Sequence, residues 1–188
     1  MAAAAGAQWV GNNDIGLGIN LVARQGSHYV SVAAIDGNAN RKYPQFDSLL
    51  DWELLYLAEV GLERDLGGPN ETAVRITASH LDLSGENPNE GPGQSLMFTA
   101  ERRFNNRWAV FGRWSKSYNR LSSDYRELLS LGTAWLTPFG FGQDFMGLGV
   151  FVGDPANPQR GDEYGAEWSY KLQLTQDFSL MPDLSVWR

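Results

Sequence analysis

The chain has 188 residues, with 15 Lys and Arg against 22 Asp and Glu, no cysteine, 21 Gly, 7 Trp, 7 Tyr and 9 Phe. A net charge of −7 disfavours nucleic acid as a partner, the lack of cysteine excludes disulfides and thiolate metal sites, and no apolar run reaches the ~18 residues that a transmembrane helix needs. One domain is expected over residues 1–188, with 1–11 an irregular lead-in; its "MAAAAGAQW" lacks the basic start and apolar run of a signal peptide.

Side-chain polarity alternates along most of the chain, and successive side chains of a strand point to opposite faces. The alternation predicts strands near 14–24, 28–36, 52–64, 72–82, 95–104, 107–117, 126–137, 144–153, 163–175 and 178–187. Most are ~10 residues long, the length a tilted strand needs to cross a bilayer. The third segment is ambiguous, because Leu50, Leu54, Leu57 and Ala58 also share one side of a helix. The ninth shows the alternation best. Tyr164, Ala166, Trp168, Tyr170, Leu172 and Leu174 form one face, and Glu163, Gly165, Glu167, Ser169, Lys171 and Gln173 the other.

The connections are predicted to alternate in length. "QGS", "DLGGPNE", "NN", "PFGFGQ" and "QD" are the shorter set; "GNANRKYPQFDSLLD", "SGENPNEGPGQ", "SYNRLSSDY" and "DPANPQRGD" are longer and polar. In an up-and-down antiparallel sheet, alternate connections lie at the same end. Short turns at one end and long loops at the other is the asymmetry of outer-membrane barrels.

On the apolar face the charges Arg64, Arg102, Lys116 and Glu127, together with His80, fall near strand ends, where long side chains reach polar headgroups. On the other face Glu59, Arg75, Glu101, Arg113, Glu167 and Lys171 fall well inside strands. Arg or Lys on a lipid face at mid-bilayer costs ~2–4 kcal/mol, whereas a water-filled interior accepts it. Trp52, Tyr164 and Trp114 fall toward the long-loop end of the apolar face and Trp108 and Trp135 toward the other, as interfacial belts would.

Several stretches carry a resemblance: "NDIGLGINLVAR" followed by "HYVSVAAIDGNAN", then "LLYLAEVGLER", "WAVFGRWSKS", "DFMGLGVFVGDP" and "EYGAEWSYKLQLTQDFSLMPDLSVW". Over most of residues 12–187 the chain resembles the carbohydrate-selective porins of Gram-negative outer membranes. The resemblance implies an all-β, antiparallel up-and-down transmembrane barrel of about sixteen strands, facilitated diffusion of mono- or oligosaccharides, and an outer-membrane location. It leaves association of three barrels open. With about ten strands and an ending "SVWR" in place of a terminal aromatic, the chain is expected to be a fragment from the later part of such a barrel.

A porin performs no covalent step, and its interior selects by width, hydrogen bonding and charge. The candidate path residues are Glu59, Arg75, Glu101, Arg113, Glu167, Lys171 and Asp183, with Phe111 and Trp187 as stacking surfaces for sugar rings. No enzyme activity and no cofactor are expected. The acids have no fixed separation, on which a glycosidase would depend; His28 and His80 stand alone, and no nucleophile elbow or phosphate loop occurs. Asp36, Asn38, Asn40 and Asp47 partly match a calcium-loop spacing, with Arg41 where the turn glycine belongs; an external loop rich in turn formers is the plainer reading. A soluble, lectin-like all-β module, with the apolar face as its core, is the alternative.

Overall fold

The computed structural model describes residues 18–36, 54–82, 92–119, 124–139, 144–175 and 177–188. The strands are β1 (Gly18–Gln25), β2 (His28–Asp36), β3 (Leu54–Arg64), β4 (Thr72–Leu81), β5 (Gly93–Phe104), β6 (Trp108–Tyr118), β7 (Tyr125–Leu136), β8 (Phe145–Pro155), β9 (Glu163–Gln173), β10 (Ser179–Leu180) and β11 (Asp183–Trp187). They form one sheet in which each strand pairs antiparallel with its sequence neighbour, except that β10 and β11 both pair with β9. The protein is therefore all-β with an up-and-down order. The ambiguous third segment is a strand. Gly61 and the β-branched Val60 weaken a helix there, and β2 and β4 take up its ladder on both sides.

Local chemistry fixes the tight ends. Gln25 pairs with His28 across Gly26, whose φ of 59° suits glycine. Asn105 and Asn106 both take positive φ, 49° and 55°, as a type I′ hairpin turn requires. The 65–71 connection folds on Asp65, whose carboxylate accepts the Asn70 N–H at 2.8 Å. It then docks on the Asn105–Asn106 turn, where Asn106 N donates to Pro69 O at 3.1 Å and Asn105 N to Asn70 Oδ1 at 3.2 Å.

The expected tenth strand is interrupted. β10 and β11 keep one register on β9, with Leu180 opposite Leu172 and Asp183 opposite Ser169. Tyr170 N still donates to Pro182 O at 3.0 Å, but proline has no N–H to return. The missing ladder bond divides the strand. A second irregularity, at Tyr125/Glu127, inserts Arg126 as a bulge at the start of β7.

The expected loop asymmetry holds in part. Connections 37–53 and 82–92 are long, but 119–124 and 156–162 are no longer than 65–71 and 137–144 at the opposite end. The difference between the two ends is thus confined to the first half of the sheet.

The two faces are sheltered unequally, and in the unusual sense. Apolar side chains are exposed: Ser130 is 3% accessible and its neighbour Leu131 is 50%. Val110, Val150 and Trp168 are likewise exposed, while Thr77, Thr99, Ser115 and Ser169 are buried on the polar side. Among the described residues few apolar side chains are buried; Leu55 and Leu81 face each other across β3 and β4, near the 37–53 end.

Candidate functional site

The pairing register converts the polar face into rungs that cross the sheet. One rung runs Arg24–Tyr29–Gly61–Arg75–Thr99–Arg113 and continues through Ser130, Phe151 and Gly165 to Trp187. The next rung toward the 65–71 end holds Glu63, Ala73, Glu101 and Phe111, then Gly132, Gly149, Glu167 and Ser185. Three arginines therefore lie on one rung and three glutamates on the next.

This offset lets neighbouring rungs neutralise one another. Arg75 reaches Glu101 at 2.7 Å and Glu63 at 3.0 Å, and Arg24 reaches the other Glu63 oxygen at 2.8 Å. Glu59, one rung further toward the 37–53 end, accepts hydrogen bonds from the Tyr29 hydroxyl and, at 2.6 Å, from Thr77 Oγ1. Glu163 pairs with Arg160 and accepts from the Tyr125 hydroxyl at 2.8 Å. Charged hydrogen bonds of this kind are the strong ones. They hold the acids as acceptors with lone pairs left over.

All nine residues singled out from the sequence stand on the polar face, by register. Glu59, Arg75, Glu101, Arg113, Glu167 and Phe111 fall within three adjacent rungs. Arg113, Glu101, Thr99 and Phe111 border a cavity of about 290 Å³. Lys171, opposite Phe145, and Asp183, opposite Ser169, lie nearer the 65–71 end. Trp187 shares a rung with Arg75 and Arg113 but sits on the edge strand, 70% exposed.

Sequence reading passed over Arg24, Tyr29, Glu63, Tyr125 and Phe151. Alternation counted from Glu59 would have put Glu63 on the polar face. The aromatics carry no such signal, because their partners, Glu59 for Tyr29 and Glu163 for Tyr125, become visible only through the register. Of the calcium-spaced residues, Asp36 is buried at the end of β2, and Asn38, Asn40 and Asp47 lie outside the described residues, as does Trp52. Among the described residues no group of three or more His, Asp or Glu could hold a metal ion.

Among the described residues, the charges of the apolar face lie toward its margins. Arg64, His80, Arg102, Lys116 and Glu127 share that face near strand ends, as their spacing predicts. Trp114 Nε1 donates to Glu127 at 2.8 Å, and Lys116 pairs with the same carboxylate at 3.2 Å. Trp108 and Trp135 are directly opposed and stacked, 5.3 Å between centroids and 14° between planes. Phe139 joins Trp135 to Tyr170, whose hydroxyl donates to the buried Asp144 at 2.9 Å. Tyr56 and His80 stack at the other margin.

Compared with family models, curated proteins and solved structures, the chain matches none.

Proposed function

We propose that this chain forms the wall of an outer-membrane channel through which carbohydrates diffuse, without chemistry on them. The observation that carries the reading is the inversion of faces: large apolar side chains are exposed along one face of the sheet, and on the other face the short polar side chains Thr77, Thr99, Ser115, Ser130 and Ser169 are buried among charges such as the 11% accessible Glu63. In water such an apolar surface is an aggregation liability; against hydrocarbon it is the stable arrangement. Dimensions agree. Strands of 11 and 12 residues span ~36–40 Å at ~3.3 Å per residue, which a tilt near 40° reduces to about the 25–30 Å of an apolar band with its borders. Trp108, Trp135 and Tyr170 at one margin and Trp114, Tyr56 and Tyr164 at the other match the aromatic girdles of such walls.

The balance of charge on the polar face favours neutral, hydroxyl-rich solutes over ions. Closure of the sheet, a Gram-negative outer membrane and a trimer of barrels belong to this same proposal. The test is reconstitution of the detergent-purified chain in liposomes. Accelerated swelling in mono- and disaccharide solutions supports the channel; sugar uptake equal to that of empty liposomes overturns it. The soluble lectin-like reading requires the apolar face to be a core, and that face is open. A chain that stays monomeric without detergent would restore it.

A further inference from the structure

The two margins of the apolar face are neutralised unequally. At the 37–53 end Lys116 pairs with Glu127 at 3.2 Å, and His80 stands 3.2 Å from Asp82. At the 65–71 end Arg64 of β3 and Arg102 of β5 both stand opposite Thr72 of β4, so the three share one rung. Both arginines are exposed, and among the described residues neither meets a carboxylate. Arg24, Arg75 and Arg103 of the polar face each have one. The Arg102 guanidinium carbon lies 4.9 Å from the centre of the Phe104 ring, and Phe104 stands opposite Trp108. Thr72 is short and its hydroxyl donates to Asn70 O at 3.3 Å, so no long side chain of β4 separates the two arginines on their rung. Toward mid-strand the same three strands present only apolar side chains on this face. Leu62, Val74 and Ala100 form the next rung, and the exposed Val60, Ile76 and Phe98 the one after it.

We propose that Arg64 and Arg102 form a site for the headgroup phosphate of an anionic phospholipid, whose acyl chains lie along the apolar track beside them. The inference rests on the lipid-facing part of the reading above and adds a partner, whatever solute passes the wall. The two arginines are two strand spacings apart, about 10 Å between backbones. Their long side chains can lean toward Thr72 from both sides, so one phosphate can take both guanidiniums. A guanidinium meets a phosphate oxygen pair through two parallel N–H bonds. Two cations without a carboxylate favour a headgroup with net negative charge, because a zwitterionic headgroup brings a cation of its own. The apolar rungs inward of the arginines suit hydrocarbon and offer a free phosphate ion nothing. At the opposite margin Lys116 and His80 already have Glu127 and Asp82, so the site distinguishes one leaflet from the other.

The test is native mass spectrometry of the full chain released from vesicles that hold phosphatidylglycerol and phosphatidylcholine in equal amounts. The parent is expected to retain phosphatidylglycerol over phosphatidylcholine by about twentyfold, roughly fivefold for each arginine. Arg64→Gln and Arg102→Gln should each lower that preference about fivefold, and the double variant should abolish it. Lys116→Gln, on the same face at the opposite margin, is the control and should match the parent. Excess inorganic phosphate should leave the bound lipid in place; its displacement by phosphate would mark a site for the free ion and overturn the lipid assignment. Flotation with the vesicles is scored in parallel. A parent that floats but retains both lipids equally, a double variant that keeps the preference, or a Lys116→Gln variant that loses it overturns the inference alone. A parent that stays out of the vesicles overturns the membrane-wall reading, and this inference with it.

Discussion

Glu63 shows how much of the site depends on one carboxylate. Its two oxygens are divided between Arg24 and Arg75, and its side chain is 11% accessible. Glu63→Ala would take a partner from the half-exposed Arg24 and from Arg75, which keeps Glu101 at 2.7 Å, and the expected loss is about 1 kcal/mol. Urea unfolding in detergent micelles measures it; a change within a few tenths would show that water already screens the pair. Arg113 bears on selectivity. Replacing it by Glu moves the wall two charges toward negative beside the 290 Å³ cavity, so the reversal potential in a salt gradient should shift toward cation preference. Both residues were assignable to a face by counting in twos. Glu63's partners were not, because Arg24 and Arg75 belong to other strands and only the register says who meets whom.

The strands were largely legible, and the exception has a chemical cause. Residues 178–187 alternate as one strand, yet Pro182 divides them into β10 and β11 without shifting the register. Pro182 faces β9, so its absent N–H leaves the Tyr170 carbonyl without its ladder donor. Pro182→Ala should restore that bond and fuse the two pieces. The bond contributes about 1 kcal/mol, and the lost rigidity of proline takes back ~0.4–1 kcal/mol, so the net stability change should be small. The informative readout is hydrogen exchange. The new amide at position 182 should be protected, and that of Leu184, the next hydrogen-bonded pair on β9, should slow with it; rapid exchange at 182 would mean the division has another origin. The loop pattern was less legible, since the length of a connection in sequence depends on where strands end, and pairing extends β7 and β8 beyond their alternation.

For the molecule as a whole, the decisive matter is which face meets which solvent. Leu131 lies mid-strand on the apolar face and Ser185 on the polar face of the edge strand, both exposed. Leu131→Lys would place a charge in hydrocarbon and should lower insertion into vesicles by ~2–4 kcal/mol. Ser185→Lys should insert like the parent. Flotation of reconstituted vesicles scores both. Equal insertion of the two variants would place water on both faces and remove the basis of the channel.

The sequence by itself determined the all-β class, nearly every strand and the two-sided character of the sheet, because a period of two is a local property of the backbone and needs no knowledge of partners. It also placed Glu59, Arg75, Glu101, Arg113, Glu167, Lys171, Asp183, Phe111 and Trp187 on one face. Only the tertiary structure decided that this face is the sheltered one and that arginine and glutamate rungs lie offset to neutralise each other. Those facts depend on the register between strands distant in sequence, and a register is set by the sum of many cross-strand contacts rather than by any one segment.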